Sequence, residues 1–297
     1  MKVAFLGDGR DWGYYIARGL SKIKDKKWRL YKIITTPQIY FPSGPLDKLG
    51  INTKIIDPKE IISLYNNGEF DDTDIMLFYG WSWTVPAEIV RNKRCICLHP
   101  SPLPKYRGGS PIQHQIINGE NESAVSLFQM TEKLDSGPVY KQKSFPLDGH
   151  LSDIIKKIGE IGLAATIEML DELAENLLLP PKQDESKATV FKRRKKSESE
   201  LTEEKLKAKG SLEIFNFVRA LEDPYPNAYI KLKDGLLFLR RVEMAKDKGS
   251  RNIFPMLKLK EMSKAEIKAL LRTKMVVKCA DGRNIELKDA LVKGFEN

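Results

Sequence analysis

The sequence is poor in histidine and cysteine and has no long apolar run. Three residues of each type occur in 297. They form no His/Cys cluster with metal-ligand spacing, so no metal is implied. Cys95, Cys97 and Cys279 make no disulfide framework, as expected of a protein kept in a reducing cytoplasm. The first two lie on one short strand and are assigned to its opposite faces. No stretch approaches the roughly 18 apolar residues needed to cross a bilayer, and the opening MKVAFLGDGRDWG shows no signal-peptide pattern. Charge bias is also missing from the first 180 residues, where 22 Lys and Arg balance 22 Asp and Glu. The whole +10 excess lies in the last 117 residues, with 28 basic against 18 acidic. That part suits an anionic partner, either nucleic acid or a phosphorylated small molecule, or else a Lys-rich solvated surface.

What is present is an alternation of strand and helix. MKVAFLG reads as a buried strand and DWGYYIARGLSKI as a helix. WRLYKIITT and INTKIID follow as strands, PKEIISLYNN as a helix, then DIMLFYG and CICLHP as strands around the helical TVPAEIVRN. This pattern predicts an α/β fold with a doubly wound, mostly parallel sheet. SPIQHQIING is read as a short helix, SAVSLFQM and GPVYKQKSFPL as late strands, and LSDIIKKIGEIGLAATIEMLDELAENLL as a long amphipathic helix. We expect a catalytic domain over 1–180, a linker over 181–205 with the basic run Lys192–Lys196, and a small α+β, OB-like domain over 206–297. The last rests on the strand-like NAYIKL, LLFLRRVEM, KMVVKCA and NIELKDAL after the helix LEIFNFVRALED.

A dinucleotide fingerprint is absent. Gly7, Gly9 and Gly13 do not give GxGxxG, and the second strand ends Ile-Thr-Thr-Pro without the carboxylate that a ribose needs. Glycines for a tight strand-to-helix turn explain GDGRDWG better, although bare amides there can bind phosphate.

In an open α/β sheet, ligands bind at the carboxyl ends of the strands. Three segments should converge there: Phe78-Tyr79-Gly80-Trp81-Ser82-Trp83, the loop after His99, and TEKLDSG around Asp135. The first suits a flat heterocycle or simple packing of the next helix. His99 and Asp135, 36 residues apart, can make a proton-transfer pair in which the carboxylate orients the imidazole.

LHPSPLPKYRGGSPIQ followed by LDSG closely resembles the N10-formyltetrahydrofolate-dependent formyltransferases. Their pattern is Asn-x-His-x-Ser-x-Leu-Pro, an aromatic-Arg-Gly stretch and Asp-x-Gly. His99, Ser101, Leu103, Pro104, Arg107, Gly108, Asp135 and Gly137 match it. The βαβ start, YGWSW and DPYPNAY extend the likeness over most of the chain.

The resemblance implies a Rossmann-like core that moves a formyl group from N10-formyltetrahydrofolate to an amine. The folate is expected against Phe78, Tyr79, Gly80, Trp81, Trp83 and Leu134, held largely by main-chain groups. His99 and Asp135 would handle the proton, and Gly9, Arg10, Ser101, Pro102, Tyr106 and Arg107 would meet the substrate, with Ser101 and Pro102–Pro104 also holding the loop and Arg107 on a phosphate or acting as a clamp. One position departs. The family's Asn, the donor to the formyl oxygen, falls on Cys97, and a thiol donates weakly. Either His114, with Gln113 and Gln115, is the substitute donor or a protonated His99 does the work alone, and a catalytically weak or inactive folate-binding relative is the alternative reading. For the acceptor, the short TTPQIYFPSGPLDKLG segment, with one lysine, favours a nucleotide-linked amino sugar, as used for cell-surface polysaccharide biosynthesis. The basic C-terminal part favours methionyl-tRNA. No membrane contact is expected, and the resemblance is compatible with a homodimer without fixing the oligomeric state.

Overall fold

Strand β1 (Lys2–Gly7) is buried from Val3 onward, so both faces of the sheet around it are covered. The computed structural model describes residues 1–7, 11–37, 46–177, 179–245 and 253–295. β1 lies between β2 (Arg29–Thr35) and β4 (Ile75–Phe78), with β3 (Asn52–Ile55) outside β2 and β5 (Cys95–His99) beyond β4. These five strands are parallel. β7 (Glu122–Gln129) and β8 (Val139–Pro146) complete the seven-stranded sheet antiparallel. The doubly wound, mostly parallel sheet read from the sequence is thus present.

Residues two apart on a strand return to the same face, and this sorts the sheet's side chains. Ala4, Leu6, Ile34, Met76, Phe78 and Cys95 form one apolar cluster with Ile61 of α2 (Ile61–Asn66) and Ile89 of α3 (Ala87–Asn92). Phe5 and Leu98 point the other way, towards α1 (Asp11–Ser21) and α5 (Leu151–Ala174). There Gly162 of α5 leaves room for Ile16 and Leu98, since a methyl group at 162 would come within 2.8 Å of both. The assignment of Cys95 and Cys97 to opposite faces is therefore corrected: the two thiols share a side. Burial pushes the Cys95 thiol up to about 12.

The described residues divide into two compact units. The first is Met1–Pro111, Asn121–Asp148 and Ser152–Lys192; the second is Ile112–Glu120, Gly149–Leu151 and Arg193–Asn297. Within 181–205, read as a linker, Val190–Phe191 forms β9, which pairs in parallel with β6 (Arg107–Gly108). A two-residue strand leaves no periodicity to detect.

The second unit holds α4 (Pro111–Ile117) from Ile112 onward, α6 (Glu203–Ala208), α7 (Ser211–Arg219) and α8 (Lys264–Leu270). Its five-stranded sheet runs β10 (Ala228–Lys231), β11 (Leu236–Met244), β14 (Asn284–Lys293), β13 (Met275–Lys278), β12 (Ile253–Pro255). Only β12 and β13 are parallel. Both ring nitrogens of the buried His150 meet carboxylates, Glu222 at 2.5 Å and Glu243 at 2.9 Å. No described helix is long and apolar enough to cross a membrane.

Candidate active site

Strand β5 delivers Cys97 and His99 to one face, next to Phe78 and Phe128. Cys97 is in register with Phe78 on β4 and Phe128 on β7. The His99 ring meets that of Phe128 edge-on at 6.5 Å. His99 is 6% exposed, so its polar atoms need protein partners. Its Nε2 lies 2.8 Å from the Tyr106 carbonyl. A carbonyl only accepts, so Nε2 carries a proton and Nδ1 is the nitrogen free to gain or lose one. Nδ1 stands 3.7 Å from Oδ2 of Asp135. The carboxylate is anchored in turn, because the same Oδ2 accepts the Gly108 N–H at 2.7 Å. Asp135 holds its loop in a left-handed conformation, with φ of 47°. The structure thus brings His99 and Asp135 together.

The loop after His99 is braced along its length. Ser101 is fully buried; its hydroxyl donates to the Lys105 carbonyl at 2.9 Å and its carbonyl accepts from Ser126 at 2.6 Å. Gln142 donates to the Leu103 carbonyl at 2.9 Å. The Tyr106 ring stacks on Phe191 at 4.9 Å, and its amide donates to Thr189 Oγ1 at 2.8 Å. Arg107, 2% exposed, donates to Gln183 at 2.7 Å and 3.1 Å and to Glu185 at 2.7 Å and 3.1 Å. Hydrogen bonds from Arg107, then from Lys133, hold the Glu185 carboxyl down at about 2. Of the two roles expected of Ser101 and of Arg107, the buried, partnered side chains fit holding the loop and clamping it, and not meeting substrate; for Tyr106, expected against substrate, they correct the assignment. Pro102 is half-buried beside them. Gln183 also donates to the carbonyls of Asp135 at 2.9 Å and Gly137 at 2.7 Å, so one side chain ties the His99 loop to the Asp135 loop.

The expected folate-side residues part company. Phe78 and Tyr79 are each 1% exposed. Phe78 belongs to the core cluster, and Tyr79 points to the other face, where its hydroxyl meets Thr166 of α5 at 3.0 Å and its ring meets Phe5. Burial pushes the Tyr79 hydroxyl far up. Neither side chain is available to a ligand, so any contact at Phe78 or Tyr79 is left to the main chain. Gly80 has φ of 76° and turns the chain. Trp81 then packs edge-on to Phe78 at 6.0 Å and Trp83 edge-on to Trp81 at 5.4 Å, a ladder that runs from core to solvent. Trp83 is 43% exposed and Leu134 61%. The Trp81 indole Nε1 is buried with no hydrogen-bond partner among the described residues, an unused donor beside two flat surfaces.

Cys97 is half-buried, and its thiol reaches the Leu98 carbonyl at 3.6 Å. His114, Gln113 and Gln115 lie on α4, in the second unit. Gly9 and Arg10 lie outside the described residues. Gln183, Glu185, Thr189 and Phe191 were not anticipated: nothing near them in sequence signals a partner some 80 residues upstream. Among the described residues, no three His, Cys, Asp or Glu side chains are placed to hold a metal.

The formyl transferase family pattern matches residues 56–162. Methionyl-tRNA formyltransferase of Mycoplasmopsis pulmonis is 30% identical over 222 residues, covering 71% of this chain and 75% of that protein. Its Sulfurihydrogenibium counterpart is 31% identical over 254 residues, covering 79% and 77%. The solved methionyl-tRNA formyltransferase from Clostridium thermocellum superposes with a TM-score of 0.65 at 26% identity, over 84% of this chain and 96% of that one. A sugar 3N-formyl transferase solved with dTdp and 5-N-Formyl-THF superposes with a TM-score of 0.66 at 18% identity, over 100% and 98%.

Proposed function

This chain belongs to the formyltransferase family and is a formyl-transferring enzyme, and we propose that it moves the formyl group of N10-formyltetrahydrofolate to a primary amine at the His99–Asp135 pair. The observation that carries this reading is the pair of contacts made by the His99 ring, Nε2 with the Tyr106 carbonyl and Nδ1 beside Asp135. With Nε2 committed to the Tyr106 carbonyl, Nδ1 is left to exchange a proton beside a fixed carboxylate. A proton taken up at Nδ1 turns the contact with Asp135 into an ion pair, which holds the charge until the proton moves on. The Trp81–Trp83 ladder and the unused Trp81 N–H fit a flat heterocycle bearing an acceptor, as a folate pterin does.

Cys97 stands at the family's Asn. The amide that would polarise the formyl oxygen is replaced by a thiol, and the loss of one such donor typically slows a reaction by about 10²–10³ without abolishing it.

Two acceptors have support of different kinds. Methionyl-tRNA is favoured by relatives at 30–31% identity that carry that name. An amino group on a nucleotide-linked sugar is favoured by the short segment between β2 and β3, whose one lysine is Lys48; the sugar-enzyme neighbour at 18% identity speaks for the fold alone. The deciding experiment measures tetrahydrofolate release with methionyl-tRNA and with a panel of amino-sugar nucleotides, with His99→Ala as control. Turnover lost in the mutant supports the reaction, and the productive acceptor selects the branch. No turnover with any acceptor, despite folate binding, would sink the proposal in favour of an inactive relative.

A further inference from the structure

The basic run at 192–196 does not act as a block. Arg194 turns inward: its guanidinium lies over the Phe217 ring at 5.8 Å and it donates to the Glu198 carbonyl at 3.0 Å. Lys196 and Ser197 instead border a cavity of about 410 Å³ on the outer face of the second unit's sheet. The rest of its wall is Tyr229 and Lys231 of β10, Leu236 and Phe238 of β11, and Lys293 to Phe295 at the end of β14. The Leu201 amide donates to the Tyr229 carbonyl at 2.8 Å and fastens the 196–201 segment along the open edge of β10.

Strand register gives this wall two rows. Tyr229 pairs with Phe238, their rings 5.8 Å apart. One step along, Lys231 pairs with Leu236 and Leu236 with Lys293. Same-face positions on a strand are about 7 Å apart, so an aromatic row lies about one nucleoside length from a lysine row. Buried Ala228, Ile230, Leu237 and Val292 occupy the intervening positions and fill the core instead. The lining residues include three lysines and no carboxylate, and Glu200 lies 2.8 Å from one of them, Lys231. Among the described residues, neither Lys196 nor Lys293 has a carboxylate partner, and Lys293 rides over the Phe238 ring at 5.8 Å.

We propose that this cavity is a binding site for one nucleoside diphosphate, with the base stacked on Phe238 and Tyr229 and the diphosphate on Lys196, Lys231 and Lys293. The volume suits a single small ligand. Aromatic stacking with cationic phosphate contacts accepts any base, so the site selects nucleotide over nucleoside or bare anion. It requires neither acceptor reading of the catalytic centre.

The test is calorimetric titration of the whole chain with ADP, UDP, adenosine, inorganic diphosphate and a short oligoadenylate. ADP and UDP should both bind, and adenosine and diphosphate each at least about tenfold more weakly. Phe238→Ala and the double change Lys231→Ala, Lys293→Ala should each weaken ADP at least about tenfold, which sets the second-unit cavity apart from any acceptor site at the catalytic centre, while Trp83→Ala leaves it unchanged and so excludes the folate surface. Phe238→Trp keeps the stacking surface; its fluorescence should respond to ADP even if Phe238→Ala folds poorly. Equal binding of diphosphate and ADP would reduce the cavity to an anion site and overturn the proposal. Binding of the oligonucleotide without ADP, or of ADP undiminished in Phe238→Ala, would overturn it as well.

Discussion

Oδ2 of Asp135 stands 3.7 Å from Nδ1 of His99 and at the same time accepts the Gly108 N–H at 2.7 Å. The carboxylate therefore reads the position of two loops together, and displacing either disturbs the imidazole. His99→Ala is expected to lower turnover by about 10²–10⁴, the usual worth of a positioned proton carrier. Asp135→Asn keeps the amide contact through its side-chain oxygen but loses the charge, so it should lower turnover while leaving the melting temperature close to that of the parent. An Asp135→Asn enzyme at full rate would remove the pair from the mechanism.

Cys97→Asn restores an amide between Phe78 and Phe128. Turnover should hold or rise, with about 10²–10³ as the ceiling set by one oxyanion donor. Steady-state rates at saturating folate are the measurement. A large loss would mean that the surroundings are built around the thiol and reject the amide.

Trp83 is the exposed end of the aromatic ladder. Removing it as Trp83→Ala should raise KM for the folate about tenfold with a smaller change in kcat, since the ring binds but does not react. Unchanged folate affinity would move the pterin away from Trp81 and Trp83.

These assignments differ in how legible they were beforehand. The parallel sheet could be read because its strands are continuous apolar runs, and His99 and Asp135 because a dense motif surrounds them. The motif could not separate residues that touch a ligand from residues that shape the loop. Arg107 looks like a phosphate ligand in sequence because an exposed and a buried arginine are the same letter. Only Gln183 and Glu185, brought in from some 80 residues away, show that its guanidinium is already occupied. The run from Phe78 to Trp83 reads as one aromatic stretch, but only its tryptophan end reaches solvent, since the Phe78 and Tyr79 rings are buried on opposite sides. β9 escaped notice because two residues have no period.

Gly137 tolerates no side chain. A methyl group there would lie 1.7 Å from the Gln129 carbonyl oxygen, a backbone atom that cannot swing aside. Gly137→Ala should cost about 1–3 kcal/mol or more in chemical denaturation, as overpacking does. It should also lower activity, because the strained loop carries Asp135. Wild-type stability in this variant would contradict the tight approach.

Acid should loosen the clamp in a defined window. The Glu185 carboxyl is lowered from 4.5 to about 2 in the folded protein, chiefly by Arg107 and then by Lys133. A folded value below the unfolded one means that the unfolded chain takes up the proton first. The pair thus contributes fully above pH 4.5, and its contribution fades as pH falls towards about 2. Glu185→Gln should therefore lose stability at neutral pH and show a flatter decline between those limits in denaturation followed at several pH values. Parallel acid curves for the two proteins would remove Glu185 from the clamp.

The pairing of β6 with β9 has a consequence for how the protein is made. His99 and Asp135 leave the ribosome well before Thr189, Val190 and Phe191, whose backbone and side chains hold Tyr106, Arg107 and Gly108 in place. A nascent chain that already contains the reacting residues still lacks the strand that fixes the loop between them. Formyl-transfer competence should therefore appear late in synthesis, only after the segment past residue 191 has emerged and folded back, and a chain cut at residue 180 would keep the motif but not its brace.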